Sequence, residues 1–245
     1  MGDMLPVEAS YDWDLIVGKL AQQEPLWEPG TQSGYHSVTF GFQVGEVILL
    51  VSGKTVGTFL REEVAEPLGA DFHLGLGDEH FERVAELSVP PPRPPSPIRP
   101  SSNPTMPLIA GNAAECRRAE IQAANGHGNA CSVARVMSAL ACGGEVDGIL
   151  LLSAEAIDKA IWEQVYGKDL TLNVPLRLGA GFMLISKERP LGPSPRTFGH
   201  TGVGGSLGMA DLDDRVSWTY TMNRPLMRSS DDRARRISKA LCATL

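Results

Sequence analysis

The segment that decides the interpretation of this chain is Phe198-Gly199-His200-Thr201-Gly202-Val203-Gly204-Gly205-Ser206. Four of its nine residues are glycine. Because glycine costs conformational order and adds no packing, this composition is unusual for a core strand. It is typical of a place where another backbone or a ligand comes close. We therefore predict a strand over His200–Val203 whose outer edge faces a cleft.

The flanking sequence predicts a sheet and a final helix. Ser206–Asp211 and Val216–Met222 read as two strands of a hairpin around Asp213-Asp214. A further strand is expected over Leu176–Ile185, and a C-terminal helix from Ser230 to about Ala243.

The middle of the chain is predicted to be helical. Apolar residues at helical spacing indicate a helix over Tyr11–Ala21 capped by Ser10, and a second from Tyr35-His36-Ser37 to Ser52-Gly53. In the second helix, Gly41 and Gly45 predict close packing against a neighbouring helix. Further helices are expected over Val56–Ala65, ending before Pro67, over Cys131–Leu140 with Asn129 as cap, and from Ser153; Asp147-Gly148 predicts a turn.

This order favours a single α+β domain over residues 1–245 with an antiparallel sheet. The helical lobe is expected over about 10–165, and the C-terminal sheet and helix over about 172–245. Residues 90–107 contain nine of the chain's 18 prolines and predict an extended loop.

Composition excludes several classes of protein. A net charge of −7 disfavours a nucleic-acid partner, and no apolar segment is long enough to span a membrane. The four cysteines and five histidines have no metal-type spacing, so we expect no metal and no cofactor. The start of the chain lacks the features of a signal peptide, which predicts a cytoplasmic protein if Met1 is the native start.

Three side chains are candidates for chemistry. His200 lies between glycines and titrates near neutrality, which leaves a catalytic and a structural role equally open. Tyr35 becomes a candidate base only if a positive group lowers its pKa from about 10. Ser206 lies in a formal G-x-S-x-G, but a strand follows it and no histidine comes after His200, so we do not expect it to be a nucleophile.

The order of these motifs resembles the serine β-lactamase and penicillin-binding-protein superfamily, in particular the β-lactamase-related esterases of family VIII. The residues that carry the resemblance run from about Asp12 to Asn223. They are Gly34-Tyr35-His36-Ser37, Glu66-Pro67-Leu68-Gly69, Gly144-Glu145-Val146-Asp147-Gly148 and Phe198-Gly199-His200-Thr201-Gly202.

The resemblance implies a role for each site residue. Tyr35 would be the general base or proton relay, and Ser37 would stand where the family often has asparagine. His200 would replace a lysine that orients the substrate and tunes the tyrosine. Thr201, Gly202 and Val203 would contact the substrate, with the Val203 N–H in the oxyanion hole.

The chain departs from the family in one respect. No lysine here follows a serine by three residues, so the S-x-x-K nucleophile motif is missing. The family's first helix and first strands would be absent too, as in an N-terminally truncated enzyme. The unpaired sheet edge then predicts a homo-oligomer or a poorly soluble protein.

Three functions follow from the resemblance. The first is a serine hydrolase that cleaves small carboxylic esters through an acyl-serine, with the nucleophile outside this chain. The second is an inactive pseudo-enzyme that keeps the cleft as a binding module. The third is a β-lactamase or D-amino-acid peptidase; histidine in place of lysine favours esters, because lysine better holds a β-lactam carboxylate.

Overall fold

The computed structural model describes residues 5–88, 103–226 and 232–245. A six-stranded antiparallel sheet with the order β10-β9-β8-β7-β6-β5 forms the C-terminal part. Its strands are β5 (Val165–Lys168), β6 (Pro175–Leu178), β7 (Met183–Leu184), β8 (Thr197–Thr201), β9 (Leu207–Asp211) and β10 (Val216–Tyr220). Two short antiparallel pairs join β1 (Phe72–His73) to β2 (His127–Gly128), and β3 (Glu145–Val146) to β4 (Ile149–Leu150).

The helices precede and flank this sheet. They are α1 (Trp13–Gln22), α2 (Thr39–Ser52), α3 (Val56–Leu60), a π segment (Arg61–Ala65), α4 (Glu66–Leu68), α5 (Ala114–Arg118), α6 (Ala130–Ala141), α7 (Ala154–Ala160) and α8 (Arg233–Cys242). Three 3₁₀ turns lie at Val7–Tyr11, Asp78–Arg83 and Leu108–Asn112. The α+β class and the antiparallel sheet expected from the sequence are therefore confirmed.

The sheet is the middle layer of three. On one face, Phe198 and Ala210 pack against apolar residues of α6 and α7. On the other face, Met209 and Trp218 pack against α8, and the Trp218 Nε1–H donates to Ser238 Oγ at 2.8 Å. The alternation of side chains along β8 and β9 serves both layers, as expected for a strand period of two.

Side-chain caps fix several helix starts. Asn129 Oδ1 accepts from the Ser132 N–H at 2.9 Å, and Ser153 Oγ accepts from the Ala156 N–H at 3.1 Å, both as expected from the sequence. The prediction of Ser10 as the first cap is wrong: Asp12 accepts from the Leu15 N–H, because Ser10 belongs to the preceding 3₁₀ turn. At the hairpin β3–β4, Asp147 and Gly148 both have positive φ, which confirms the turn.

Three predicted boundaries are corrected by the structure. The third helix does not stop before Pro67: it continues through the π segment to Leu68, because Pro67 lies in the first turn of α4, where its missing N–H is tolerated. The strand expected over Leu176–Ile185 is a hairpin of β6 and β7, which reverses at Gly181 with φ 89°. The sheet also begins at Val165, inside the range assigned to the helical lobe.

The predicted site strand is corrected as well. β8 ends at Thr201, so Gly202 and Val203 lie in the loop to β9. β8 lies between β7 and β9, but β7 pairs only with Phe198 and Gly199, so the β7-side edge at His200 and Thr201 has no strand partner among the described residues. A Cβ at Gly199 would collide with the Gly208 carbonyl oxygen of β9, so this glycine does allow a second backbone to come close. Most of the proline-rich loop, and the predicted start of the last helix, lie outside the described residues.

Candidate functional site: a tyrosine–histidine pair between helical lobe and sheet

Tyr35 and His200 meet although 165 positions separate them in the chain. The Tyr35 Oη lies 3.1 Å from His200 Nε2. The two rings are 6.0 Å apart between centroids and are inclined by 25°. Tyr35 precedes α2, and His200 lies on the face of β8 that looks towards α6, since its cross-strand partner Gly208 faces Val133 of α6. The helical lobe and the sheet thus each contribute one side chain.

Burial shifts the pKa values of Tyr35 and His200 in the directions that favour the neutral form of each side chain. Desolvation raises the pKa of the Tyr35 phenol, with Arg189 lowering it and Asp169 raising it further. Desolvation lowers the pKa of His200 below 6.5; a hydrogen bond to the Thr201 backbone opposes this shift, and Arg189 adds to it. At neutral pH the phenol is therefore protonated and the imidazole is uncharged. With the imidazole proton on Nδ1, the Tyr35 O–H donates to Nε2, which accepts.

A buried carboxylate holds the segment that carries Tyr35. Asp169, which is fully buried, accepts from the Ser33 hydroxyl at 3.3 Å and from the N–H groups of Thr171 and Leu172 at 2.9 and 2.8 Å. The Leu170 N–H donates to the Ser33 carbonyl at 2.9 Å. The loop between β5 and β6 therefore anchors the approach to Tyr35. Sequence reasoning missed Asp169; its signal is an aspartate just after a strand that accepts from the N–H groups two and three residues further on.

The loop after β8 is fixed by contacts with the end of the chain. Gly204 has φ 90°, and its carbonyl accepts from the Leu226 N–H and from Arg233 Nη2, both at 3.1 Å. The Gly202 N–H donates to the Ser206 carbonyl at 2.8 Å. Among the described residues we find no acceptor for the Val203 N–H, and the Val203 side chain is largely exposed. Arg233, at the start of α8, is a second residue that the sequence alone did not single out.

The remaining predicted residues lie around the pair with different orientations. Ser37 is half-buried between Tyr35 and the start of α2. The Thr201 hydroxyl contacts Met183 Sδ at 3.7 Å, on the sheet face opposite His200. Ser206 is half-buried and precedes strand β9 rather than a helix, as expected.

Two cavities of the described chain lie away from this pair. One, of about 270 Å³, is lined by residues that include Glu155 and Trp162. The other, of about 240 Å³, is lined by residues that include Trp13 and Phe42. Neither is lined by Tyr35 or His200. Within the described ranges there is no group of three or more metal-ligating side chains, and no helix is long and apolar enough to cross a bilayer.

This fold, with a tyrosine from the helical lobe opposite a histidine from the sheet, defines a class of protein. The beta-lactamase family model matches residues 1–241, and the chain belongs to that family. The likeness extends to particular proteins. The chain is 34% identical over 215 residues to the esterase/beta-lactamase LipL of Mycobacterium tuberculosis, covering 80% of this chain and 49% of that protein. It thus spans about half the length of this curated relative.

Two solved structures are similar over almost the whole chain. A penicillin-binding protein homolog from Caulobacter crescentus superposes with a TM-score of 0.91 and 40% identity, over 99% of this chain and 67% of its own. A family VIII carboxylesterase superposes with a TM-score of 0.90 and 36% identity, over the same two shares. About a third of each of these folds has no counterpart in the matched part of this chain.

Proposed function

We propose that this chain forms the tyrosine–histidine part of a serine hydrolase that cleaves small carboxylic esters through an acyl-serine. The serine and its lysine would come from an S-x-x-K segment that this chain does not contain. The single observation that carries the proposal is the 3.1 Å contact between Tyr35 Oη and His200 Nε2. The family membership and the similar family VIII carboxylesterase support an ester substrate.

The pair can act as a proton relay. The incoming serine hydroxyl gives its proton to Tyr35 Oη as the phenol proton passes to His200 Nε2, so the serine oxygen attacks the ester carbonyl as the nucleophile. The imidazolium then returns its proton through the phenol to the departing alkoxide. Because the pKa of Tyr35 is raised rather than lowered, a relay fits this site better than a standing phenolate base.

The Val203 N–H supplies one donor for the charge that develops on the carbonyl oxygen. The contacts of Gly204 with Leu226 and Arg233 keep its loop in place before substrate binds. Such preorganised donors stabilise the tetrahedral intermediate without reorganisation during the reaction.

A chimera tests the proposal. The part of the Caulobacter homolog that this chain does not match is joined in front of residue 1, and hydrolysis of p-nitrophenyl butyrate is measured. We expect turnover and stoichiometric labelling by a serine-reactive phosphonate, and Tyr35→Phe in the chimera should lower kcat by about 10²–10⁴-fold. The chain alone should show neither turnover nor label.

Ser206→Ala is the control, and three outcomes would contradict the proposal. Ser206→Ala should leave the chimera's turnover unchanged, and hydrolysis by the chain alone that vanished in Ser206→Ala would restore that serine as the nucleophile. A folded chimera that takes the phosphonate label but hydrolyses no ester would favour the binding module. Preference for a chromogenic β-lactam over the ester would favour the β-lactamase alternative.

A further inference from the structure

The helical lobe contains a pocket that neither Tyr35 nor His200 lines. It has a volume of about 240 Å³, and residues of the first 3₁₀ turn, α1, α2, α3 and the end of α5 form its walls. The volume exceeds the roughly 150 Å³ of an apolar cavity that holds benzene. It is smaller than the pockets of drug-sized ligands, which begin at about 300 Å³. The pocket therefore has the size for a small ligand with a single ring, and its apolar wall consists of Trp13, Phe42, Leu49 and Val56.

One wall of this pocket carries a buried hydroxyl without a partner. Ser10 lines the pocket and is only 2% exposed, and its Oγ has no hydrogen-bond partner among the described residues. Leaving a polar group unpaired and away from water costs free energy, so an unpaired buried hydroxyl calls for an explanation. A serine hydroxyl can donate one hydrogen bond and accept others, so it can serve a ligand of either kind.

A buried amide without partners adjoins the same pocket. Neither Oε1 nor Nε2 of Gln122 has a hydrogen-bond partner within the described ranges, and both atoms are buried. A Cβ built at Gly45 of α2 would lie 2.6 Å from Gln122 Nε2. The same Cβ would lie 2.5 Å from the Trp13 ring and 2.8 Å from Val56, which both line the pocket. The surroundings of this apolar pocket thus offer an unpaired donor and an unpaired acceptor.

The charged residues of the pocket are already paired. Arg118 donates to both carboxylate oxygens of Asp78, at 2.7 and 2.9 Å. Glu120 accepts from Thr55 Oγ1 and from the Gly57 N–H, both at 2.8 Å. The pocket therefore has no spare charge with which to hold an ion, and burial of an unpaired charge there would be costly.

We propose that this pocket binds a small uncharged molecule with an apolar ring and a head group that both donates and accepts hydrogen bonds, such as a primary carboxamide. The ring would lie against Trp13 and Phe42, whose own rings are 5.1 Å apart. The head group would pair with the Ser10 hydroxyl and the Gln122 amide, because a carboxamide matches the donor and the acceptor of a glutamine side chain. Binding here does not require the proposed hydrolase function.

Benzamide tests the proposal, with toluene as its apolar analogue and benzoate as its charged one. Proton–nitrogen NMR spectra of the full chain follow the backbone amides of Ser10 and Glu120 and the indole N–H of Trp13 during a titration. We expect saturable shifts with a Kd of about 10⁻⁴–10⁻³ M for benzamide, as suits a ligand of this size. Toluene should bind at least about 3-fold more weakly, because it leaves the polar atoms unpaired. Benzoate should bind more weakly than benzamide as well, because its charge would be buried.

Ser10→Ala removes the hydroxyl and keeps the shape of the pocket. It should weaken the binding of benzamide by about 3- to 10-fold and leave the binding of toluene unchanged. The unfolding midpoint should not fall, since the substitution deletes a buried group that has no partner. The matched control is Ser138→Ala on α6, which removes a hydroxyl that donates to the Arg135 carbonyl at 2.7 Å, outside the pocket. The control should leave the binding of benzamide intact.

Four results would overturn the proposal. In the first, Ser10→Ala binds benzamide as tightly as the unmodified chain does. In the second, toluene binds as tightly as benzamide. In the third, the shifts are confined to the segments around Tyr35 and His200, so that benzamide occupies the other site. In the fourth, no signal saturates up to the solubility limit of benzamide and long-lived water is detected beside Ser10, which would make water the occupant.

Discussion

Tyr35 and His200 show how burial can keep two titratable side chains neutral while they remain in contact. Burial raises the pKa of the phenol and lowers that of the imidazole, and the hydrogen bond joins the two neutral forms. Tyr35→Phe removes the donor to Nε2 and keeps the ring. Because that donor stabilises the neutral imidazole, the pKa of His200 should rise in the variant. Titration of the imidazole proton signals by NMR measures it; a pKa that falls or stays the same would contradict the pairing.

The lowered pKa of His200 also predicts a pH dependence of stability. In the unfolded chain this histidine takes a proton near pH 6.5, whereas the folded chain resists protonation until a lower pH. Since the unfolded state then binds more protons, the free energy of unfolding should fall as pH drops below about 6.5. His200→Gln should make this dependence shallower. Urea unfolding on both sides of pH 6.5 tests it, and an unchanged slope in the variant would argue that His200 is solvated.

Substitutions of Asp169 can separate two effects on Tyr35: the effect of the carboxylate charge on the pKa of the phenol, and the hydrogen bonds that hold the neighbouring loop. Asp169→Asn keeps an oxygen for the Thr171 and Leu172 N–H groups but removes the charge that raises the pKa of Tyr35. The phenol pKa should therefore fall while the unfolding midpoint changes little. Phenolate absorbance against pH, with Tyr35→Phe as the reference that assigns the signal, measures the shift.

Asp169→Ala and Ser33→Ala complete this comparison. The alanine at 169 leaves backbone N–H groups without an acceptor, so it should cost about 1–3 kcal/mol of stability. Ser33→Ala removes the 3.3 Å contact alone and should cost less. If Asp169→Asn destabilised the chain as much as Asp169→Ala, the charge rather than the cap would be what holds the loop.

At the scale of elements, α2 is held against its neighbours by glycine. A Cβ at Gly45 would lie 2.5 Å from the Trp13 ring and 2.8 Å from Val56, which confirms the expected close packing against helices at this glycine. Gly41 is tightly packed too, but against Gln122 and Ala123 in a turn rather than against a helix. In contrast, a Cβ at Gly18 in α1 would meet nothing within 4 Å.

The two glycines give a matched pair of substitutions. Gly45→Ala should destabilise the chain by about 1–3 kcal/mol through overpacking. Gly18→Ala should stabilise it by about 0.5–1 kcal/mol, since alanine is the better helix former and has room. Thermal or urea unfolding of both variants measures these changes in the free energy of unfolding. Equal and favourable effects at the two positions would mean that α1 and α2 do not pack as described.

At the scale of the whole molecule, the described chain has an exposed apolar face on α2 (Phe40, Val44, Val47, Leu50 and Val51) and two outer sheet strands, β10 and β5, each of which pairs with a single neighbour. We expect concentration-dependent self-association of the isolated chain in light scattering. Val47→Asp/Val51→Asp should reduce it if the helix face dominates. Association that persists unchanged in that variant would assign it to an edge of the sheet, and a monomer at all concentrations would contradict both explanations.

Periodicity and local chemistry in the sequence predicted the α+β class, the longer helices, and the caps at Asn129 and Ser153, although α2 begins at Thr39 rather than at Tyr35. The resemblance to the β-lactamase superfamily implied that Tyr35 and His200 share one cleft, and the structure brings the two side chains within 3.1 Å of each other. Boundaries were less predictable: the reversal at Gly181 and the passage through Pro67 depend on backbone geometry that spacing does not encode.

Only the tertiary structure decided which distant segments hold the site in place and which apolar side chains remain exposed. The anchoring of Ser33 by Asp169, 136 positions away, and of Gly204 by Arg233 arises from contacts between distant segments, for which no local pattern exists. The exposed apolar face of α2 likewise could not be identified from the sequence, because apolar residues occur on both the packed and the exposed side of this helix. Burial is a property of neighbours in space, so the sequence indicates which residues need a partner, and the packed chain shows which of them still lack one.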